Sequence, residues 1–156
     1  MAWPAILRVL GISSIPFLEL RLGIPMGIAA GLEPIAATLW AIAGNLTQVP
    51  FSIVLILVLR RTANRFRLVA SWLALLERAA LGKEDKVRRY GWIGLTLVVG
   101  IPLPGTGLWV GAALASIMRM SLAQTVFALS AGVVMAGVLV GLISAGAFGL
   151  FEAVDV

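Results

Sequence analysis

The chain has 156 residues, of which 61% are hydrophobic and only 12% are charged, and its mean hydropathy is +1.07. Soluble domains are nearer half apolar and a quarter charged, so this composition predicts a single integral membrane domain, 1–156, with no room for a soluble enzyme module. Cysteine and histidine are absent, which excludes disulfides, thiolate nucleophiles and imidazole ligands, so we expect no enzyme, no metal and no cofactor.

The first apolar block, 2–32, is interrupted by prolines and contains two opposite charges. Glu19 and Arg21 lie in the segment PFLELRLGIPMG, which ends shortly after Pro25. Ionisable groups at membrane depth are costly, so their default interpretation is functional. We predict an unwound hairpin tip around 19–25, in which Glu19 carries a proton and Arg21 and Pro25 contact a substrate. The alternative is an ion pair that only holds the hairpin together.

The second block, 33–59, contains an uncharged run longer than the ~20 residues that a membrane-spanning helix needs. We predict a full span here, with a kink at Pro50. Asn45 and Gln48 form a polar cluster before that proline. They are expected either to make hydrogen bonds between helices or to line a cavity.

A basic linker, 60–89, follows, with nine lysines and arginines against three acidic residues. Such an excess of positive charge predicts a cytoplasmic location. Its apolar residues recur at helical spacing up to Gly82, which indicates an amphipathic helix lying in the membrane interface. The alternative is a solvated connector. The predicted apolar face is Val69, Trp72, Leu73, Leu76 and Ala80, and the predicted lipid-headgroup contacts are Arg60, Arg61, Arg65 and Arg67.

The third block, 90–118, is broken by a second proline- and glycine-rich segment, IPLPGTGLWVG. A helix that begins there would point its positive end at the tip, where an anion could bind. The alternative is a hairpin turn without a ligand. The fourth block, 121–151, is again long enough to span. The residues predicted to contact the substrate from this half are Pro102, Pro104, Gly105, Thr106, Gly107 and Arg119.

These blocks predict an all-α membrane fold built as an inverted repeat. Each half, 1–59 and 90–156, would contain one re-entrant helical hairpin and one transmembrane helix, with the interfacial helix between the halves. A weak internal similarity aligns 34–42 with 121–129, and the pair Gly23/Gly27 with Gly107/Gly111. Four ordinary spans are the alternative.

The two broken segments in order, PFLELRLGIPMG and PLPGTGLWVG, closely resemble the paired signatures of the putative small multidrug export proteins. The stretch IMRMS is similar to one in the DedA/VTT membrane superfamily, whose members are implicated in moving lipids or lipid-linked phosphates. The resemblance implies that Glu19 is the acidic residue of the first hairpin. The arginine usual near Gly107 in DedA proteins is missing, so Arg21 or Arg119 is the candidate substitute.

The leading functional hypothesis is a transporter or flippase for an amphipathic substrate with an anionic headgroup, coupled to protons. One alternative is export of hydrophobic drugs, and another is a scaffold that binds lipid through its linker without transporting anything. We expect membrane lipids as partners, no nucleic acid, and a homodimer or higher oligomer that shields the tips. The expected location is the cell (cytoplasmic) membrane, with the linker facing the cytoplasm.

Overall fold

A computed structural model describes residues 3–16, 18–63, 65–80, 82–103 and 107–154. Within these ranges all regular structure is helical, as predicted, and there is no strand. The helices are α1 (Trp3–Ser13), α2 (Glu19–Ala29), α3 (Pro34–Thr62), α4 (Arg67–Ala80), α5 (Glu84–Gly100), α6 (Leu108–Ile117) and α7 (Leu122–Val154).

The helices α3 and α7 are long and apolar enough to cross a membrane, at the two places where full spans are predicted. Only 33% and 39% of their most apolar windows are buried, whereas the core helix of a soluble protein would be mostly buried. Large side chains such as Leu39, Phe51 and Leu142 are more than half exposed. Such surfaces suit lipid rather than water. The helix α3 continues through Pro50 as a single element.

The first block forms two short helices of 11 residues each, α1 and α2, which pack against each other. Gly23 of α2 lies against Ser13 of α1, and Gly27 lies against Val9. The contacts therefore run backwards along α1 as α2 advances, which makes the pair an antiparallel hairpin. Neither helix has the ~20 residues that a separate span needs.

The predicted position of the break in this hairpin is wrong. The irregular residues are 14–16 and 18, whereas Glu19, Arg21 and Pro25 all lie within α2. The helix α1 ends before Pro16, because a proline disfavours helical geometry in the residue that precedes it. Pro25 removes only one amide donor from α2, and neighbouring helices in a membrane can compensate for such a loss.

The chain forms two compact units, and α3 and α7 each contribute to both. The first unit contains the chain up to Thr47 and from Val134 onwards. In this unit α3 and α7 pack closely, with Thr38 against Gly141 and Ile42 against Gly137. Gly137 and Gly141 of the last span therefore serve close helix packing. At Gly149, by contrast, an added Cβ would meet no atom within 4 Å outside its own helix.

The second unit is Gln48–Val133. Its helix α5 is interrupted at Gly91, where the backbone leaves helical geometry (φ 58°, ψ −132°). The apolar part of α5 that follows packs on α6 and α7, with Gly111 against Val99 and Leu129. Trp92 meets Phe127 edge to face, with ring centroids 5.2 Å apart. The third block is therefore also made of short helices.

The amphipathic helix predicted in the linker is confirmed as α4, which is followed by Gly82 in the left-handed conformation (φ 81°). Its predicted lipid face needs correction. Leu73, Leu76 and Ala80 are buried, and α4 packs against α6, so these side chains face protein. Among the side chains of the predicted face that the structure describes, Trp72 alone is exposed, because the helix presents a different apolar stripe outwards. The side chain of Val69 lies outside the described part of the structure.

The two units share a pattern of backbone hydrogen bonds. Leu32 N donates to Gly27 O after α2, and Met120 N donates to Ala115 O after α6, so both helices end in the same kind of turn. The next helices also begin alike, because Ala37 N donates to Glu33 O and Thr125 N to Ser121 O. This pattern pairs Glu33 with Ser121. The sequence alignment paired Pro34 with Ser121 and is shifted by one residue.

Glycine packing recurs in the same way. Gly23 approaches the preceding short helix α1 in the first unit, and Gly111 approaches the preceding helix α5 in the second. Gly44 of α3 also contacts α1, as Gly132 of α7 contacts α5. The structural counterpart of Gly23 is therefore Gly111, whereas the sequence alignment pairs Gly23 with Gly107.

Candidate functional site

Two non-glycine residues among those described have a left-handed backbone: Glu19 (φ 51°) and Arg119 (φ 52°). This conformation brings Cβ too close to the following carbonyl oxygen and costs about 1–2 kcal/mol per residue. Residues held in such conformations cluster at functional sites. Both belong to the set that the sequence predicted to contact the substrate or a proton.

The structural counterparts of these two residues are glycines. Glu19 directly precedes the buried Leu20, as Gly107 (φ 129°) directly precedes the buried Leu108. Arg119 ends α6 where Gly31 (φ 85°) ends α2. Each unit therefore has glycine at one left-handed position and a charged residue at the other.

Glu19 is the first residue of α2 and is only 6% exposed. Its amide donates to Ile15 O at 3.2 Å, which ties the helix start to the preceding turn. A carboxylate in the first turn interacts favourably with the positive end of a helix. Arg21 is half-buried two residues further along α2, and Pro25 follows inside the same helix. Glu19 thus lies at a buried helix start, directly after the irregular residues that separate α1 from α2.

The second broken segment is described only at its ends. α5 ends at Gly100, Pro102 is half-buried, and Gly107 precedes α6 with a backbone that only glycine adopts easily. Pro104, Gly105 and Thr106 lie outside the described residues. Anion binding at the start of α6 therefore stays a prediction.

Arg119 is exposed and lines a cavity of about 360 Å³ in the second unit. The other walls are mostly apolar side chains of α3, α6 and α7, including Ile53, Leu57, Ala115 and Leu122. Among the described residues that line it, Arg119 is the one with a charge. We call this cavity the Arg119 groove. Its volume falls within the range of small-molecule sites.

The family model named Putative small multi-drug export protein matches residues 19–139, well over half of the chain. The chain belongs to this family. No curated protein and no solved structure gives a match. Membership in an exporter family, together with the apolar helices α3 and α7, indicates a membrane protein, and such families are not typically enzymes. The DedA/VTT resemblance stays a prediction.

The polar cluster of α3 has a packing role at Gln48. Trp109 Nε1 donates to Gln48 Oε1 at 3.0 Å, and both side chains are buried. Phe51 meets Trp109 edge to face, with ring centroids 6.0 Å apart. The hydrogen-bonding interpretation therefore fits Gln48 better than a cavity wall does. Asn45 is also buried, at 1% exposure. Sequence reasoning missed Trp109, because no local spacing connects it with Gln48.

The four arginines predicted to contact lipid headgroups are not equivalent. Arg60 donates to Ser116 O at 3.2 Å and forms a salt bridge with Glu77 Oε1 at 3.1 Å, so it connects the end of α3 with α6 and α4. The corresponding prediction for Arg60 needs correction, because its guanidinium is engaged by protein. Arg61, Arg65 and Arg67 are exposed.

The described residues contain no group of three or more histidine, cysteine, aspartate or glutamate side chains that could hold a metal ion. What they do contain is one apolar groove with a single cation and, in the other unit, one buried carboxylate. An arginine at an apolar groove can pair with a phosphate or carboxylate whose tail lies along the groove. A buried carboxylate can take up and release a proton.

Proposed function

We propose that this family member is a membrane transporter or flippase for an amphipathic substrate with an anionic headgroup, such as a lipid or a lipid-linked phosphate. The observation that carries the proposal is the Arg119 groove. Its apolar walls suit a hydrocarbon chain, and the guanidinium suits bidentate binding of phosphate or carboxylate oxygens. A hydrophobic cation would be repelled by the same guanidinium.

Coupling to protons is assigned to Glu19. It is the one buried carboxylate among the described residues, whereas Glu33, for example, is exposed. Ionisable residues inside membrane proteins commonly belong to ion pathways or proton relays. Arg21, on the same helix, is proposed to assist by contacting the substrate or balancing the charge of Glu19.

The proposed architecture is an inverted repeat of two re-entrant hairpins and two spans, with the basic linker in the cytoplasm and a homodimer as the working form. The shortness of α1, α2 and α6 supports hairpins over four ordinary spans. The recurring hydrogen-bond pattern supports a repeat. Inverted repeats with broken helices are a frequent plan among transporters.

A second candidate function is export of hydrophobic drugs, which the family name favours. One observation supports it independently: the first unit has an apolar cavity of about 290 Å³ between α3 and α7. Its lining includes Thr38, Ile42, Gly141 and Leu142, and none of its described lining residues is charged. Such a cavity would select by hydrophobicity and not by charge.

The test is reconstitution into proteoliposomes with three labelled substrates: an anionic phospholipid, a polyprenyl phosphate and a cationic dye. Arg119→Gln should slow transport of the two anions about tenfold or more, since bonds to charged groups contribute ~1.5–3 kcal/mol. Arg119→Lys should retain part of the rate. The matched control is Arg88→Gln, which removes an exposed arginine of α5 outside the groove.

Faster dye transport in Arg119→Gln, with the anions never carried above the rate of empty liposomes, would replace the proposal with drug export. No movement of any of the three substrates by folded wild-type protein would favour the non-transporting scaffold.

A further inference from the structure

The helix α4 presents an apolar stripe outwards that packing within its unit leaves exposed. Leu68 is 82% exposed, Trp72 52% and Leu75 60%. These positions are separated by four and three residues, so they lie on one side of the helix. Phe66, just before the helix, is also exposed. Exposed apolar patches of this kind mark surfaces of interaction.

The contacts of α4 with α6 and with Arg60 prevent the helix from rotating about its axis so that this stripe is buried. Leu73 and Leu76 are buried as α4 packs on α6. The salt bridge from Arg60 to Glu77 holds the same helix, and Arg60 also binds Ser116 O at the end of α6. The outward direction of Leu68, Trp72 and Leu75 is therefore fixed by the unit itself.

Basic side chains border the stripe. At about 100° per residue, Arg67 and Arg78 lie together on one flank of the stripe, while the buried leucines lie on the other. Both arginines are exposed, as are Arg61 and Arg65 in the approach to the helix. The surface thus combines large apolar side chains with a row of cations along one edge.

We propose that Leu68, Trp72 and Leu75 form a docking face that enters the headgroup layer of a bilayer containing anionic lipid, while Arg61, Arg65, Arg67 and Arg78 contact the lipid phosphates. This proposal is independent of the transported substrate. Each arginine near an anionic surface increases binding about fivefold. A second copy seated on the same face would instead bring two rows of arginines together, and like charges disfavour that contact.

The test uses the full chain in vesicles, with single cysteines introduced into this cysteine-free sequence and labelled with a nitroxide. Leu68→Cys and Leu75→Cys report on the docking face, and both alter exposed positions. Ala70→Cys is the matched control, because two residues from Leu68 place it on the other side of the helix. Vesicles of phosphatidylcholine alone are compared with vesicles containing phosphatidylglycerol.

With phosphatidylglycerol present, the labels at 68 and 75 should become accessible to oxygen and protected from a water-soluble nickel chelate, while the label at 70 stays accessible to the chelate. Equal chelate access at all three positions would overturn the proposal in favour of a solvated connector. Spin–spin broadening at 68 and 75 would overturn it in favour of an interface between copies. If either Leu68→Cys or Leu75→Cys misfolds, the other variant still reports on the same face.

The arginines provide the second measurement. The triple variant Arg61→Gln, Arg65→Gln, Arg67→Gln should need severalfold more phosphatidylglycerol for the same protection of the label at 68. Arg60→Gln should lower stability through loss of its bonds to Glu77 and Ser116, with the phosphatidylglycerol dependence unchanged. The reverse assignment, with lipid dependence lost only in Arg60→Gln, would refute the docking face.

Discussion

The left-handed backbone at Glu19 allows its conformational role to be separated from its chemical role. Glu19→Ala and Glu19→Gly both remove the carboxylate, but only glycine adopts φ near the observed 51° without strain. Relief of the strain is worth about 1–2 kcal/mol, and the extra conformational entropy that glycine loses on folding offsets about 0.5–1 kcal/mol of it. We therefore expect the glycine variant to be more stable than the alanine variant by up to ~1.5 kcal/mol.

The assay is reversible unfolding in mixed micelles as the fraction of denaturing detergent rises, followed by transport in proteoliposomes. Ala43→Gly is the control, because Ala43 is exposed in the interior of α3 and the substitution should cost about 1 kcal/mol through helix propensity alone. Both Glu19 variants should lose the dependence of transport on a proton gradient to the same extent. An alanine variant as stable as the glycine variant would refute the strain argument. Normal proton dependence in the glycine variant would refute the assignment of Glu19 as proton carrier.

Three further predictions concern packing and assembly. Trp109→Phe removes the donor to the buried Gln48 and should lower the free energy of unfolding by about 0.6–1.7 kcal/mol. Most of this loss should be absent when Gln48→Leu is already present, and equal losses in both backgrounds would contradict the pairing. Gly111→Ala would displace the side chains of Val99 and Leu129 and should destabilise the protein by about 1–3 kcal/mol. Gly146→Ala is the control and should not destabilise the protein, because a Cβ there meets open space. Similar effects at both sites would refute the close approach at Gly111. A detergent-corrected mass should equal two chains, and a mass of one chain in active samples would rule out the proposed homodimer.

The sequence was sufficient to predict the helices whose signals are local. The spans α3 and α7 follow from uncharged runs longer than a bilayer crossing, and α4 follows from its amphipathic spacing. The break in the first hairpin was misplaced because two prolines compete for it. A helix ends before Pro16, whereas Pro25 lies inside a helix. Which of the two prolines interrupts the helical backbone depends on the packing of α1 on α2.

The candidate site was predictable in its residue types but not in its geometry. A charge in an apolar segment singles out Glu19 from the sequence alone. Its left-handed backbone and that of Arg119 depend on how helices must turn to pack, which no residue pattern encodes. The same holds for the bonds of Arg60 to Ser116 and Glu77, because they join positions far apart in the chain. In the sequence, the four arginines predicted to contact lipid headgroups cannot be distinguished, and only those contacts separate Arg60 from the others.

The recurring pattern in the two units indicates what the fold itself requires at the two left-handed positions. Gly107 shows that glycine is sufficient where the first unit has Glu19, and Gly31 shows that glycine is sufficient where the second has Arg119. A charged side chain at such a position adds ~1–2 kcal/mol of strain that the turn does not need. We therefore propose that the acid in one unit and the base in the other serve the chemistry of transport and not the folding of the turns. It follows that Arg119→Gly should fold at least as stably as Arg119→Ala while losing transport of anionic substrates, measured in the same two assays. If Arg119→Gly instead fails to fold while Arg119→Ala folds, the left-handed turn after α6 is not what holds this position, and the comparison of the two units would lose its force.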